Sequence, residues 1–147
     1  MTIAAVLKQK GSAVISVTPE TSVADVARIL EQRRIGAVMV LDGGRNVLGI
    51  VSERDIVRAL ATRKGGIEGM AAEELMTREV VMIGPDAPVE AALRIMDENY
   101  FRHLPVVDDG GMLLGLVSVR DLVRYRIAQQ EHQVESLTAY VTRSYMH

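Results

Sequence analysis

The sequence predicts a mixed α/β (α+β) fold in which one β-α-β-β-α unit is used twice and followed by a long C-terminal helix. Three observations carry this. The chain lies over itself at a shift of 66 residues. Each copy alternates short apolar runs with amphipathic stretches and turn residues. The final segment carries apolar residues at helical spacing.

The repeat organises the rest. Val14 meets Val80, Pro19 meets Pro85, and Arg28-Ile29 meets Arg94-Ile95. Leu48-Gly49 meets Leu114-Gly115, Val51-Ser52 meets Val117-Ser118, and Arg54-Asp55 meets Arg120-Asp121. The register holds without a gap as far as Val57-Arg58 and Val123-Arg124. A unit this short cannot bury its apolar face alone, so the copies are expected to share a core as a pseudo-twofold pair. The expected division is residues 1–66, the first repeat with a short N-terminal helix, and residues 67–147, the second repeat with the helical tail.

Taken in order, residues 2–9 read as a short helix. Val14-Ile15-Ser16-Val17 is a short strand ended by Thr18-Pro19. Ser22 with Asp25 three residues on is close to a capping box. The helix behind it turns Val23, Val26, Ala27, Ile29 and Leu30 mostly to one side and ends near Arg33-Arg34, where positive charge suits the C-terminal dipole. Residues 37–41 form an apolar, buried strand, Asp42-Gly43-Gly44 a turn, residues 47–51 the next strand, and a helix starts at Ser52. The glycine-bearing stretch 61–73 connects the copies, and Glu73-Glu74-Leu75-Met76 opens a short helix, the twin of the N-terminal one. The second copy follows the same order, first strand included. Pro88 replaces Ser22 there, a tolerated residue in a first helical turn, and Val89, Ala92, Leu93 and Met96 turn inward. In the tail, Val123, Ile127, Val134, Leu137 and Val141 form a stripe. That stripe packs either on its own domain or against a second subunit.

Composition excludes several functions. There are 17 basic and 19 acidic residues, a net charge of −2, so nothing draws the whole molecule to nucleic acid or an anionic membrane. With no cysteine there is no disulfide scaffold, thiolate nucleophile or thiolate metal site, which fits a cytoplasmic protein. The N-terminal run meets Lys8 and Lys10 after its apolar residues, the reverse of a signal peptide. No apolar window is long enough for a membrane span. His103, His132 and His147 have no ligand spacing, so no metal is expected. The methionines, Met39 and Met96 among them, suit packing. Ser52 and Ser118 have no histidine partner in sequence, so no catalysis is expected.

The most informative local pattern is Gly49-Ile50-Val51-Ser52-Glu53-Arg54-Asp55, returning as Gly115-Leu116-Val117-Ser118-Val119-Arg120-Asp121. Each copy stands where a buried strand enters a helix. Unpaired backbone N–H groups and the positive end of the helix dipole favour an anion there. The hydroxyl of Ser52 or Ser118 and the guanidinium of Arg54 or Arg120 add phosphate donors. Asp55 and Asp121 lie one turn further in. An ionised carboxylate offers acceptors only, and a ribose diol offers two donors. Serine for phosphate and aspartate for ribose make a nucleotide reader. The same spacing is also ordinary helix capping. Capping, however, does not require the repeated arginine.

These motifs, with Val17-Thr18-Pro19, Ile35-Gly36-Ala37 and Phe101-Arg102-His103-Leu104-Pro105-Val106-Val107, resemble the CBS-domain family, and specifically its stand-alone tandem pair, the Bateman module. The resemblance covers nearly all of residues 14–126. It implies up to two clefts between the repeats, binding an adenine nucleotide. AMP is the first choice, then ATP or ADP, NAD or S-adenosylmethionine. It implies that Asp55 and Asp121 hold ribose, that Ser52 and Ser118 face phosphate, and that Ser16, Val17 and Thr18 in one copy, and Met82 and Gly84 in the other, flank the base. It also implies a regulatory role in signal transduction, a disc-like homodimer and a regulated effector protein. The alternative is a docking module with empty clefts. Arg102 and His103 stand where the first copy has Gly36 and Ala37, so the two clefts are expected to differ in charge. His103 is either a phosphate donor or a structural residue.

Overall fold

The computed structural model describes residues 1–145. The chain runs α1 (Ile3–Lys10), β1 (Ser16–Val17), α2 (Val23–Arg33), β2 (Ala37–Leu41), β3 (Val47–Ser52), α3 (Glu53–Thr62), α4 (Ala72–Leu75), α5 (Val89–Asn99), β4 (His103–Val107), β5 (Leu113–Ser118) and α6 (Val119–Tyr145). In the first repeat β1 pairs parallel with β2, and β2 pairs antiparallel with β3. In the second, β4 and β5 form a two-stranded antiparallel sheet.

The local chemistry accounts for the boundaries. Ser22 caps α2 by accepting from the Asp25 N–H at 3.1 Å. The reciprocal half of that box is absent, because the Asp25 carboxylate pairs with Arg28 instead. Both α2 and α5 end on a left-handed residue, Arg34 (φ 54°) and Tyr100 (φ 58°). The hairpin turns match as well: Asp42 accepts from the Gly44 N–H and Asp108 from the Gly110 N–H, both at 2.9 Å.

One expected strand is missing. The segment before α5 makes only a single parallel bridge, Ile83 with Val106. Its twin in the first repeat is held further by the Met39 N–H, which donates to Ile15 O at 3.2 Å. The residue in the place of Met39 is Pro105, which has no N–H to give. The strand therefore shrinks to the bonds that survive: Ile83 N–H to Pro105 O and Val107 N–H to Ile83 O, both at 3.0 Å.

The cores also differ from the single shared core expected. Among the described residues there are two, and each repeat completes its own with a helix that precedes the other repeat. Ile3, Val6 and Leu7 of α1 are buried with Val89, Leu104, Val117 and Leu122 of the second repeat. Met70, just before α4, and Ala72, its first residue, are buried with Val23, Val38, Val51 and Ile56 of the first. Packing thus crosses the division expected at residues 66 and 67. The dockings are equivalent. The Ile3 N–H donates to Ala87 O at 2.9 Å and the Ala4 N–H to Pro85 O at 2.8 Å. The Ala72 N–H donates to Thr21 O at 2.7 Å and the Glu73 N–H to Pro19 O at 3.1 Å. The acceptors are related by the 66-residue repeat, but the donors are 69 residues apart (Ile3 to Ala72, Ala4 to Glu73). Among the described residues no helix is long and apolar enough to cross a membrane.

Candidate functional site

Both Ser-x-x-Asp turns lie where the last strand of a repeat passes into a helix. Asp55 Oδ2 accepts from the Ser52 N–H at 2.8 Å and the Ser52 hydroxyl at 3.0 Å. Ser52 Oγ accepts in turn from the Asp55 N–H at 3.3 Å. In the second turn Asp121 Oδ2 accepts from the Ser118 N–H at 2.8 Å, and Ser118 Oγ accepts from the Asp121 N–H at 3.1 Å. Capping, one of the two readings of this motif, is therefore present. It uses one carboxylate oxygen on each aspartate. Among the described residues Oδ1 of neither aspartate takes a hydrogen bond.

Each aspartate also lines a cavity. One cavity, of about 550 Å³, is lined by Ser52, Arg54 and Asp55 of the first repeat and by Thr77, Arg102 and His103. The other, of about 620 Å³, is lined by Ser118, Arg120 and Asp121 and by Val14, Ile15 and Lys10. Both volumes suit a small organic ligand. Gly36, Glu53, Arg102 and His103 line both cavities and so form a common wall. The first amide of each helix is already taken: the Glu53 N–H donates to Gly36 O and the Val119 N–H to Arg102 O, both at 2.9 Å. An anion here relies on the next amides, those of Arg54 and Arg120, and on their exposed guanidinium groups.

The structure brings together Ser52, Arg54, Asp55, Arg102 and His103 in one cleft, and Arg102, His103, Ser118, Arg120 and Asp121 in the other. Ser16, Val17, Thr18, Met82 and Gly84 line neither. Pairing of β1 with β2 turns Val17 into the first core, and the Thr18 N–H donates to Thr21 Oγ1 at 3.1 Å. The chain reaches the cleft three residues earlier, at Ala13, Val14 and Ile15. Lys10 carries no signal in the repeat, since its twin at the 66-residue shift is the uncharged Met76. The substitution of Arg102 and His103 for Gly36 and Ala37 was legible, and it falls on the common wall.

Electrostatics separate the two clefts. Partial burial acts to raise the Asp121 pKa, but the Lys10 ammonium and the Ser118 N–H outweigh it and hold the carboxyl below its ordinary value. Burial is the largest influence on His103 and lowers its pKa; Asp121 and Glu53 oppose it, while Lys10 and Arg102 add to it. Its imidazole packs over Gly36, where an added Cβ would lie 3.0 Å from Cε1. The unfolded chain therefore binds the His103 proton more readily than the folded one. Its contribution to stability is complete above the unfolded pKa and is lost as pH falls through the folded one. Urea unfolding of wild type and His103→Gln at about pH 7.5 and about pH 5.5 checks this. Wild type is expected to lose more stability over that interval than the variant, and equal losses would refute the assignment. His132 is exposed on α6, His147 lies outside the described residues, and no cluster of metal-ligating side chains occurs among the described residues.

Comparison with known proteins adds the family context. A family model of the CBS domain matches residues 11–62 and 72–128. A 17.7 kDa protein of Acidianus ambivalens is 40% identical over 108 residues, covering 74% of this chain and 64% of that protein. The mitochondrial CBS domain-containing protein CBSX3 of Arabidopsis thaliana is 30% identical, covering 98% of this chain and 73% of its own length. The chain thus spans about two thirds to three quarters of these relatives. Among solved structures, the CBS-domain protein ATU1752 of Agrobacterium tumefaciens is 34% identical with a TM-score of 0.81, covering 86% of this chain and 99% of that one. The CBS domain pair of MJ0100, in complex with 5′-methylthioadenosine and S-adenosylmethionine, is 27% identical with a TM-score of 0.77, over 88% and 98% of the two chains. PAE2072 of Pyrobaculum aerophilum, complexed with AMP, is 28% identical with a TM-score of 0.73, over 82% and 89%.

Proposed function

The chain belongs to the CBS-domain family, and from that premise we propose that it is a non-catalytic sensor that binds an adenine nucleotide in the clefts at Asp55 and Asp121. The observation that carries the reading is the same in both repeats. A carboxylate with one unused oxygen lines a cavity at the start of a helix whose cap serine and neighbouring arginine line it too. The AMP and S-adenosylmethionine complexes of related pairs support an adenosyl ligand. AMP is our first choice: one phosphate at the helix start and one ribose at the carboxylate use the groups present. ADP, ATP, NAD and S-adenosylmethionine follow. The Ser52 hydroxyl donates to the Asp55 carboxylate and accepts from the Asp55 N–H, so it is committed to the helix cap. Sensing requires that the ligand prefer one arrangement of the two repeats, and the wall common to both clefts, Gly36, Glu53, Arg102 and His103, is where such a preference would act. Calorimetric titration with AMP, ADP, ATP and S-adenosylmethionine tests this; no binding of any of them at about 1 mM removes the reading.

A cytoplasmic homodimer joined through α6, acting on an effector protein, completes the proposal. Val134 is 62% exposed and Leu137 65%, so the stripe along the tail finds little cover within the chain. Apolar residues repeated on one helical face are what a partner helix buries. Deletion of residues 130–147 is expected to halve the mass measured by sedimentation, and an unchanged mass would exclude the tail from the interface.

A further inference from the structure

The two Ser-x-x-Asp turns are alike, but what reaches them from outside the repeat is not. Beside the first turn, the edge of β3 is occupied by backbone: the Ile50 N–H donates to Thr77 O at 3.1 Å, and the Thr77 N–H donates to Ile50 O at 2.9 Å. Beside the second, the carbonyl in the place of Ile50 O belongs to Leu116, and it accepts from Lys10 Nζ at 2.6 Å. The same ammonium donates to Asp121 Oδ2 at 2.6 Å. The cause is helix length. After equivalent dockings, α4 stops at Leu75 and its chain pairs with β3, whereas α1 runs on to Lys10 before Gly11, at φ 96°, ends it.

We propose that Lys10 is a specificity-determining residue of the second cleft: its ammonium holds the ribose-binding carboxylate of Asp121, so that cleft admits a polyanionic nucleotide in preference to an uncharged nucleoside. This rests on the nucleotide reading given above. A ribose diol brings two donors, and Asp121 Oδ2 already accepts from Lys10 and from the Ser118 N–H, so a diol that takes both carboxylate oxygens competes with the ammonium. The ammonium carries charge, which strengthens its bond. A nucleoside that displaces it leaves a freed cation in a cavity where Arg34, Arg102, Arg120 and Arg124 outnumber Glu31 and Glu53. Phosphates compensate that charge, and a bare nucleoside does not. Asp55 has no ion pair among the described residues, so the first cleft makes no such demand.

Calorimetry with adenosine and with ATP tests the inference, using Asp55→Asn to weaken the first cleft. Lys10 is the last residue of α1, and the helix is anchored by Ile3, Val6 and Leu7, so Lys10→Met leaves its docking intact. Lys10→Met in the Asp55→Asn protein is expected to tighten adenosine binding by about tenfold. The preference for ATP over adenosine should fall by at least the same factor, and Lys10→Arg should keep the parent behaviour. Adenosine binding that is weakened, or that stays within about twofold, overturns the role of Lys10 while leaving the nucleotide reading intact. Absence of any nucleotide binding by the unsubstituted protein overturns both, and is seen in a separate titration.

Discussion

Asp55→Asn is expected to weaken AMP binding in the first cleft by about 10–100-fold, with little change in the unfolding midpoint. Hydrogen bonds to a charged group are worth about 1.5–3 kcal/mol, and about 1.4 kcal/mol is tenfold in affinity. The carboxamide is nearly the same shape as the carboxylate. Its oxygen can still accept from the Ser52 N–H, which Asp55 Oδ2 now does at 2.8 Å, so the start of α3 stays capped. What changes is the face toward the cavity: an acceptor-only group becomes one that presents an amino donor to two hydroxyl donors. Asp55→Ala is the poorer test, because it also removes the half of the capping box that the carboxylate supplies to Ser52, at up to about 1 kcal/mol, and so mixes stability with binding. A dideoxy analogue of AMP supplies the control. Without the diol it should bind weakly to both proteins, and the substitution should hardly affect it. AMP affinity within about twofold of wild type, or an equal loss for AMP and the dideoxy analogue, would show that Asp55 serves only its cap.

The parts of the fold that follow from local chemistry were legible. The turns at Asp42 and Asp108, the cap at Ser22 and the apolar strands β2 and β4 each depend on residues close in sequence. What depends on another segment was not. The strand expected before α5 was lost to Pro105, which removes one donor from a neighbouring strand. That cost becomes visible only once the pairing register is known. The crossing of α1 and α4 between the cores was hidden because both helices carry similar apolar faces and nothing in a short amphipathic run names its partner. The site divides in the same way. Ser52, Asp55, Ser118 and Asp121 were readable as a repeated motif, and the contrast of Gly36 with Arg102 marked the common wall. Ser16, Val17 and Thr18, which the resemblance implies for the base side, line neither cavity: β1 turns Val17 inward, and Ala13, Val14 and Ile15 line the second. Lys10 is invisible to the repeat because its twin at the 66-residue shift is Met76 and its counterpart at the 69-residue offset of the docked helices is Glu79, so neither register repeats a cation.

That difference in docking gives two equivalent glycines unequal tolerance. Gly49→Ala is expected to destabilise the protein by about 2–3 kcal/mol, and Gly115→Ala by less than about 1 kcal/mol. Both glycines are buried strand residues that open the same motif. A methyl group in a strand would ordinarily help slightly, since glycine loses the most freedom on folding. At Gly49 a Cβ would lie 2.7 Å from Met76 Sδ and 2.8 Å from Thr77 O. Thr77 O belongs to the backbone that bonds Ile50 on both sides, so relief requires the edge pairing of β3 to move. At Gly115 the obstacle is Leu7 Cδ2 at 2.7 Å, the end of a side chain that can change rotamer. Urea unfolding of the two variants measures the difference, which corresponds to roughly 5 °C or more in melting temperature for a chain of this size. Ile50 and Thr77 also line the first cleft, so Gly49→Ala should weaken AMP binding there beyond its effect on stability. Equal costs at the two glycines would mean that the β3 edge yields as readily as a leucine side chain. The backbone pairing of Ile50 with Thr77 would then not be what holds that wall of the cleft.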